Sequence, residues 1–168
     1  QLKSVFVTLP KGSENVPRMH EFIISFNKET FENIEKAGTP KAKIIAQIGK
    51  LFLDYGLHAP TVAFPEENGL MVEPTESFDK KELDHFIQVM KSLHEMICEN
   101  PEVLRTVPHF TPVLKVDELQ ANKKPIFREE IDQLPELAIN RISPQELLTM
   151  NVLDIEKKIL SAHERLKT

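Results

Sequence analysis

The 168-residue sequence has one cysteine, five glycines, one tyrosine and no tryptophan. With Cys98 as the only thiol, an intramolecular disulfide is excluded, and the composition suits a reducing compartment, so we expect a cytoplasmic protein. No run approaches the ~20 apolar residues of a membrane span, and no leader reads as a signal peptide. The five glycines never cluster, which excludes a glycine-rich phosphate loop.

Charge and length exclude further classes of protein. The 21 basic and 26 acidic residues give a net charge of −5, so no basic surface for nucleic acid is expected. A chain of this length buries enough surface to fold without structural metal. His94 and Cys98, four residues apart in a predicted helix, are only two ligands and do not make a tetrahedral site. We therefore predict no metal, nucleic-acid or membrane binding.

The order of apolar patterns predicts an α+β fold. Strands are expected at 4–9 and 19–26, a helix capped by Thr39 from Pro40 to Tyr55, and an antiparallel hairpin over 61–64 and 70–73. A longer helix follows the capping box of Asp79 and Glu82. The pattern predicts a small, mostly antiparallel sheet with helices on one face.

The C-terminal part reads differently. Residues 107–126 contain three prolines and little periodicity, so an irregular segment is expected. Two helices should follow, one capped by Ser143 before Pro144 and one capped by Asn151. We divide the chain into a small domain, 1–127, and a helical C-terminal extension, 128–168. Packing of this extension on the domain is the default, and covering an interface or binding a partner subunit are the alternatives.

Polar residues and prolines gather beside the predicted hairpin, in 56–61 and 73–77. Proline fixes the backbone, and rigid placement of polar groups is what a binding site requires. The structural alternative is local: Thr61 and Ser77 would bond to turn amides, and Glu73 and Glu76 would sit near a helix N-terminus, where carboxylates are favoured.

Four segments carry a family resemblance. They are Met19-His-Glu-Phe22, Tyr55-Gly-Leu-His-Ala-Pro-Thr-Val-Ala-Phe-Pro65, Leu70-Met-Val-Glu-Pro-Thr-Glu-Ser77 with Glu82-Leu-Asp84, and Asn100-Pro-Glu-Val-Leu104 through Pro108-His-Phe-Thr-Pro-Val113. In this order they resemble the C-terminal part of glycine dehydrogenase (decarboxylating), the P-protein of the glycine cleavage system. The stretch after Pro108-His109, which ends in Val116-Asp-Glu-Leu119 and Lys124-Pro125, looks most like subunit 2 of the split bacterial form.

The resemblance implies an oxidoreductase of the type I, aspartate-aminotransferase-like fold of pyridoxal-phosphate enzymes, of which this chain would be the small C-terminal domain. Such enzymes decarboxylate glycine on the cofactor and pass the aminomethyl group to the lipoyl arm of the H-protein. The implied partners are lipoylated H-protein, the large domain of the P-protein and a second P-protein subunit.

The sequence lacks the lysine motif that would hold the cofactor covalently. In this family the Schiff-base lysine follows a histidine, and the sequence contains no His-Lys pair. Because the chain also starts at Gln1, we expect an excised piece that neither binds pyridoxal phosphate nor reacts with glycine alone. No catalytic residue is assigned within it. The alternatives are a free-standing α+β interaction or regulatory module, and part of another type I enzyme.

Six residues are the candidates to face the cleft between the domains of the complete enzyme. His20 and His58 could exchange protons or hydrogen-bond substrate near neutral pH. His109 is a weaker candidate because its segment is irregular. The six are His20, His58, Thr61, Glu73, Thr75 and Glu76.

Overall fold

The computed structural model describes residues 2–9, 11, 15–17, 20–63, 68–113, 117–125 and 141–167. Its strands are β1 (Val7–Leu9), β2 (Phe22–Ser25), β3 (Thr61–Ala63) and β4 (Gly69–Val72). The helices are α1 (Lys28–Lys36), α2 (Ile44–Asp54), α3 (Lys80–Glu99), α4 (Glu118–Lys123), α5 (Pro144–Thr149) and α6 (Val152–Leu166). Three short 3-10 helices span Leu2–Ser4, Lys41–Lys43 and Pro101–Arg105.

The four strands form one antiparallel sheet in the order β1-β2-β4-β3. Ile24 pairs with Leu70, and both are almost completely buried. The next row, Ile23 with Met71, points to the other face and is only half-buried. This alternation puts the core on one face of the sheet, so the predicted α+β architecture is confirmed.

The helices supply most of that core through single apolar stripes. In α2 the stripe predicted from sequence is buried at Ile44, Ile48, Leu51 and Phe52, and in α3 the deepest residues include Met90 and Leu93. The predicted capping box of α3 is present, because Asp79 accepts from the Glu82 N–H and Glu82 accepts from the Asp79 N–H.

Several boundaries differ from expectation. The first predicted strand begins only at Val7, because the Val5 and Phe6 N–H groups both bond to the Leu2 carbonyl and close a turn. The second begins at Phe22, and Met19 lies outside the described residues, as does Phe64 of the predicted hairpin. A short helix, α4, interrupts the segment expected to be irregular.

Two local signals were misjudged. Helix α1 was not foreseen, although Asn27 caps it by accepting from the Thr30 N–H at 2.8 Å. The expected cap at Thr39 is wrong: a 3-10 turn leads into α2, and the Thr39 hydroxyl is buried without a hydrogen-bond partner among the described residues. The end of α2 was foreseen, because Gly56 follows it with φ +75°, a conformation that favours glycine.

The C-terminal helices pack into the same core as the sheet. Ser143 and Asn151 cap α5 and α6 as predicted. On α6, Ile155 and Ile159 are fully buried in the common cluster. The backbone of Gly56 comes so close to α5 that an added Cβ would lie 2.9 Å from the Leu147 Cβ, which only glycine avoids. The division at residue 127 stays a prediction, since residues 126–140 lie outside the described ranges.

Candidate functional site

The strand register collects the six candidate residues at one end of the sheet. Phe22, at the start of β2, pairs with Val72, at the end of β4, so His20 and Glu73 lie just beyond the same end of these two strands. Thr61 opens β3 opposite Met71, one strand further along, and His58 precedes it. Thr75 and Glu76 belong to the turn that follows β4. All six side chains are exposed.

The hydrogen bonds at this end are few and local. His58 Nδ1 lies 2.9 Å from the Ala59 carbonyl oxygen. A carbonyl only accepts, so Nδ1 carries the proton, and Nε2 of the neutral ring keeps a free lone pair. The Thr75 and Ser77 hydroxyls lie 2.6 Å apart, so this contact stays within the turn, although the local alternative expected Ser77 to bond to turn amides. No hydrogen bond or ion pair joins two of the six candidates in the described part of the chain.

His109 proves to be a buried residue, away from solvent. It is 0% exposed and faces Asp54, the last residue of α2, which is also 0% exposed. Asp54 Oδ2 lies 2.7 Å from His109 Nδ1, and Oδ1 accepts from the His109 and Phe110 N–H groups at 2.6 and 3.2 Å. One carboxylate therefore ties the chain around His109 to the end of α2.

The same network reaches the C-terminal helix. Thr106 Oγ1 lies 2.9 Å from His109 Nε2 and 2.6 Å from Nδ1 of His163 in α6. Nε2 of His163 is buried without a partner among the described residues. Burial is the main cause that lowers the pKa of His163, and the nearby Lys167 charge adds to it. His163 is thus held neutral, as a connector between α6 and the domain.

A second polar chain makes a parallel connection. Tyr55 donates to Ser92 of α3 at 2.8 Å, and Ser92 donates to Glu156 of α6. Burial raises the pKa of the Tyr55 hydroxyl, so it stays protonated and remains a donor. These contacts join the C-terminal end of α2 to α3 and α6.

Sequence reasoning did not identify Asp54, Thr106 or His163. One signal was available for Asp54: it follows Leu51 by three residues, so it continues the apolar stripe of α2 and had to be buried. A buried carboxylate requires donors, and the Pro108-His109 segment was the place to look for them.

Metal and membrane sites are not indicated. In the described ranges no three histidine, cysteine or acidic side chains gather closely enough to hold a metal ion. His94 stacks on Phe26 with ring centroids 5.6 Å apart. Cys98 Sγ lies 3.8 Å from Nδ1 of His94. None of the helices described is both long and apolar enough to cross a bilayer.

The sequence comparisons match this chain to one family. A sequence model described as glycine dehydrogenase, C-terminal domain, matches residues 1–108. Proteins named probable glycine dehydrogenase (decarboxylating) subunit 2 are similar to it: those of Pseudothermotoga lettingae and Fervidobacterium nodosum are each 41% identical over 112 residues, covering 66% of this chain and 22% of theirs. The Pyrococcus abyssi protein is 47% identical over 82 residues, 48% of this chain and 16% of its own.

This chain therefore spans about a fifth of the length of the first two relatives, 22% in each case. The matched residues include the whole sheet, all six candidates and helices α1 to α3. Helices α4, α5 and α6 lie beyond the match. The predicted resemblance is confirmed, and the chain belongs to the glycine dehydrogenase C-terminal domain family.

Proposed function

We propose that this chain is the C-terminal domain of a glycine decarboxylase, an enzyme that decarboxylates glycine on pyridoxal phosphate and passes the aminomethyl group to the lipoyl arm of the H-protein. The family match over residues 1–108 supports this proposal most directly. The complete enzyme would also include a large domain and a second subunit, and we expect it in the cytoplasm.

The residues of this chain do not fit covalently held pyridoxal phosphate. The sequence has no His-Lys pair, and no lysine is among the buried polar residues of the described ranges. The exposed end of the sheet offers histidine, threonine and glutamate side chains, which can accept or donate protons but cannot form a Schiff base. We infer that the cofactor lysine comes from another part of the enzyme.

The chain's own contribution lies at the sheet end. His58 is exposed, and its Nδ1 is bonded to the Ala59 carbonyl, so Nε2 of the neutral ring keeps its lone pair. Such a nitrogen can accept a proton or a hydrogen bond from a substrate in a cleft closed by the large domain. His20 and Glu73, which lie beyond the same end of the sheet, would line that cleft.

A chimera tests the proposal. Subunit 2 of the Pseudothermotoga lettingae relative would have its matching C-terminal residues replaced by this chain and be combined with subunit 1, pyridoxal phosphate and lipoylated H-protein. Exchange of bicarbonate carbon with glycine is the assay. Exchange by the chimera, with none by this chain alone, is expected. A folded, cofactor-loaded chimera without exchange would contradict the proposal.

A further inference from the structure

A groove with a volume of about 1050 Å³ lies along the first turns of α2 and the residues before it. One wall is formed by Lys43, Gln47 and Lys50, which follow helical spacing along the start of α2. Arg105 and the two residues after it, Thr106 and Val107, also line the groove. None of the six sheet-end candidates is among the residues that line it.

The walls of the groove carry unpaired positive charge. Among the described residues, Lys43, Lys50 and Arg105 make no hydrogen bond or ion pair, whereas Lys80 and Lys167 each bond to a carboxylate. The one acidic residue that lines the groove in the described ranges is Asp117, whose Oδ1 accepts from the Gln120 N–H. A chain with a net charge of −5 thus has a cationic groove.

Arg105 is supported from one side. Gly38 has φ +101°, and a Cβ added there would lie 3.5 Å from Arg105 Cδ and 3.6 Å from Nε. The arginine side chain therefore packs along bare backbone, which limits its freedom while its charge remains exposed. A side chain ordered in advance loses less entropy when it binds an anion.

The lining favours a peptide over a free phosphate. Phosphate sites at helix starts use backbone N–H groups, and here Pro40, which has none, precedes the first turn. Beside the cations the lining includes the apolar side chains of Ala42, Ala46 and Leu166, together with the polar Gln47 and Thr106. From Lys43 to Lys50 the helix rises ~10 Å, about the length of three extended residues. Carboxylates that alternate with apolar side chains match this arrangement.

We propose that this groove binds an acidic, partly apolar peptide segment of a partner protein. The carboxylates of the segment would pair with Lys43, Lys50 and Arg105, and its apolar side chains would cover Ala42 and Ala46 beside them. Electrostatic pairing of this kind weakens with salt, because exposed charges are screened.

The test is fluorescence anisotropy with the 168-residue chain and a labelled peptide of about ten residues, in which glutamate alternates with alanine and leucine. The peptide should bind at low salt, and a peptide with glutamine in place of glutamate should not. The double variant K43E/R105E should weaken binding roughly tenfold or more. The control K81E/K158E removes the same charge at exposed lysines outside the groove and should weaken it much less.

Three results would overturn the proposal. The first is no binding of the glutamate peptide at low salt. The second is an equal loss in the control variant, which would indicate non-specific attraction. The third is displacement of the peptide by an equal concentration of pyrophosphate, which would indicate a small-anion site. Circular dichroism checks folding, and K43Q/R105Q replaces the charge-reversed variant if that variant does not fold. Because no cofactor is involved, failure here leaves the glycine decarboxylase proposal untouched.

Discussion

The exposed end of the sheet and the buried network around Asp54 use the same residue types in opposite ways. At the sheet end, histidine, threonine and glutamate side chains are exposed and have few partners. In the network, Asp54 and His109 are 0% exposed, and Asp54 accepts three hydrogen bonds. Polar groups satisfied by their own chain hold a fold together, and unsatisfied exposed groups are available for another molecule.

This difference explains why His109 and His58 have different roles. Both are histidines within two residues of a proline in segments of the family resemblance, and the sequence gives only a weak reason, the irregular segment of His109, to rank His58 above it. Burial decides their roles: His109 orients a loop and connects to α6 through Thr106, while His58 keeps Nε2 open to solvent. The predictions below test the contrast, beginning with the largest expected loss of stability.

Replacing Asp54 with alanine should cost about 3–5 kcal/mol of unfolding free energy, because two backbone N–H groups and His109 Nδ1 lose their buried acceptor. Urea unfolding measures the change. Asp154→Ala is the control: its pair with Lys157 is exposed, so the expected cost is below about 1 kcal/mol. Equal losses in the two variants would show that the network is not structural.

The packing of α6 gives the next largest effect. Ile159→Ala removes a fully buried side chain of that helix and should cost about 2–5 kcal/mol. Leu153→Ala, on the same helix but 61% exposed, should cost less than about 0.5 kcal/mol. Thermal and urea unfolding of both variants measure the two costs. If the two variants lost equal stability, α6 would not be packed into the core.

The pH dependence of stability tests the connector His163. Its folded-state pKa lies below the ordinary value, so the unfolded chain binds the proton more readily. The unfolding free energy should therefore fall as pH is lowered through about 6.5 and below, and be regained above it. The groups around it are Lys167, His109, Glu102 and Glu164.

The matched variant is His163→Gln, which keeps a hydrogen-bonding group for Thr106 but does not titrate. Its unfolding free energy should change less steeply between roughly pH 7.5 and 5.5 than that of the parent. A remaining slope is expected, because burial also lowers the pKa of His94. Urea unfolding at a series of pH values gives the slope of unfolding free energy against pH for both proteins. Identical slopes would show that His163 does not cause the pH dependence.

How far the sequence predicts this fold depends on the range of the signal. Caps are local, and those at Asp79, Ser143 and Asn151 were all read correctly. Thr39-Pro40 has the same form as Ser143-Pro144 but does not cap, because Thr39 is buried and a 3-10 turn follows it. The environment of a residue, which depends on the whole fold, decided between two equal local patterns.

For the site, too, local signals are predictable from the sequence and long-range contacts are not. Hairpin pairing places Thr61 and Glu73 at one end of the sheet, and that pairing follows from the strand pattern. The contact of Asp54 with His109 joins residues 55 positions apart, and no periodicity contains that information. Burial of an acidic residue within an apolar stripe was readable, but the identity of its partner required the structure.

The smallest effect on stability is expected at the sheet end, where activity should change most. His58→Ala removes an exposed ring with one local hydrogen bond, so the unfolding free energy should stay within about 0.5 kcal/mol of the parent. In the chimera with the relative's subunit, glycine–bicarbonate exchange should fall roughly tenfold or more, because proton transfer from a positioned side chain contributes at least that much. His85→Ala would be a poor control, because His85 is half-buried and its Nε2 is buried. Lys81→Ala, exposed on α3, is the matched surface change and should leave exchange unaltered. Unchanged exchange in the folded His58→Ala chimera would place His58 outside the cleft, and the sheet end would then be a polar surface without a role in the reaction.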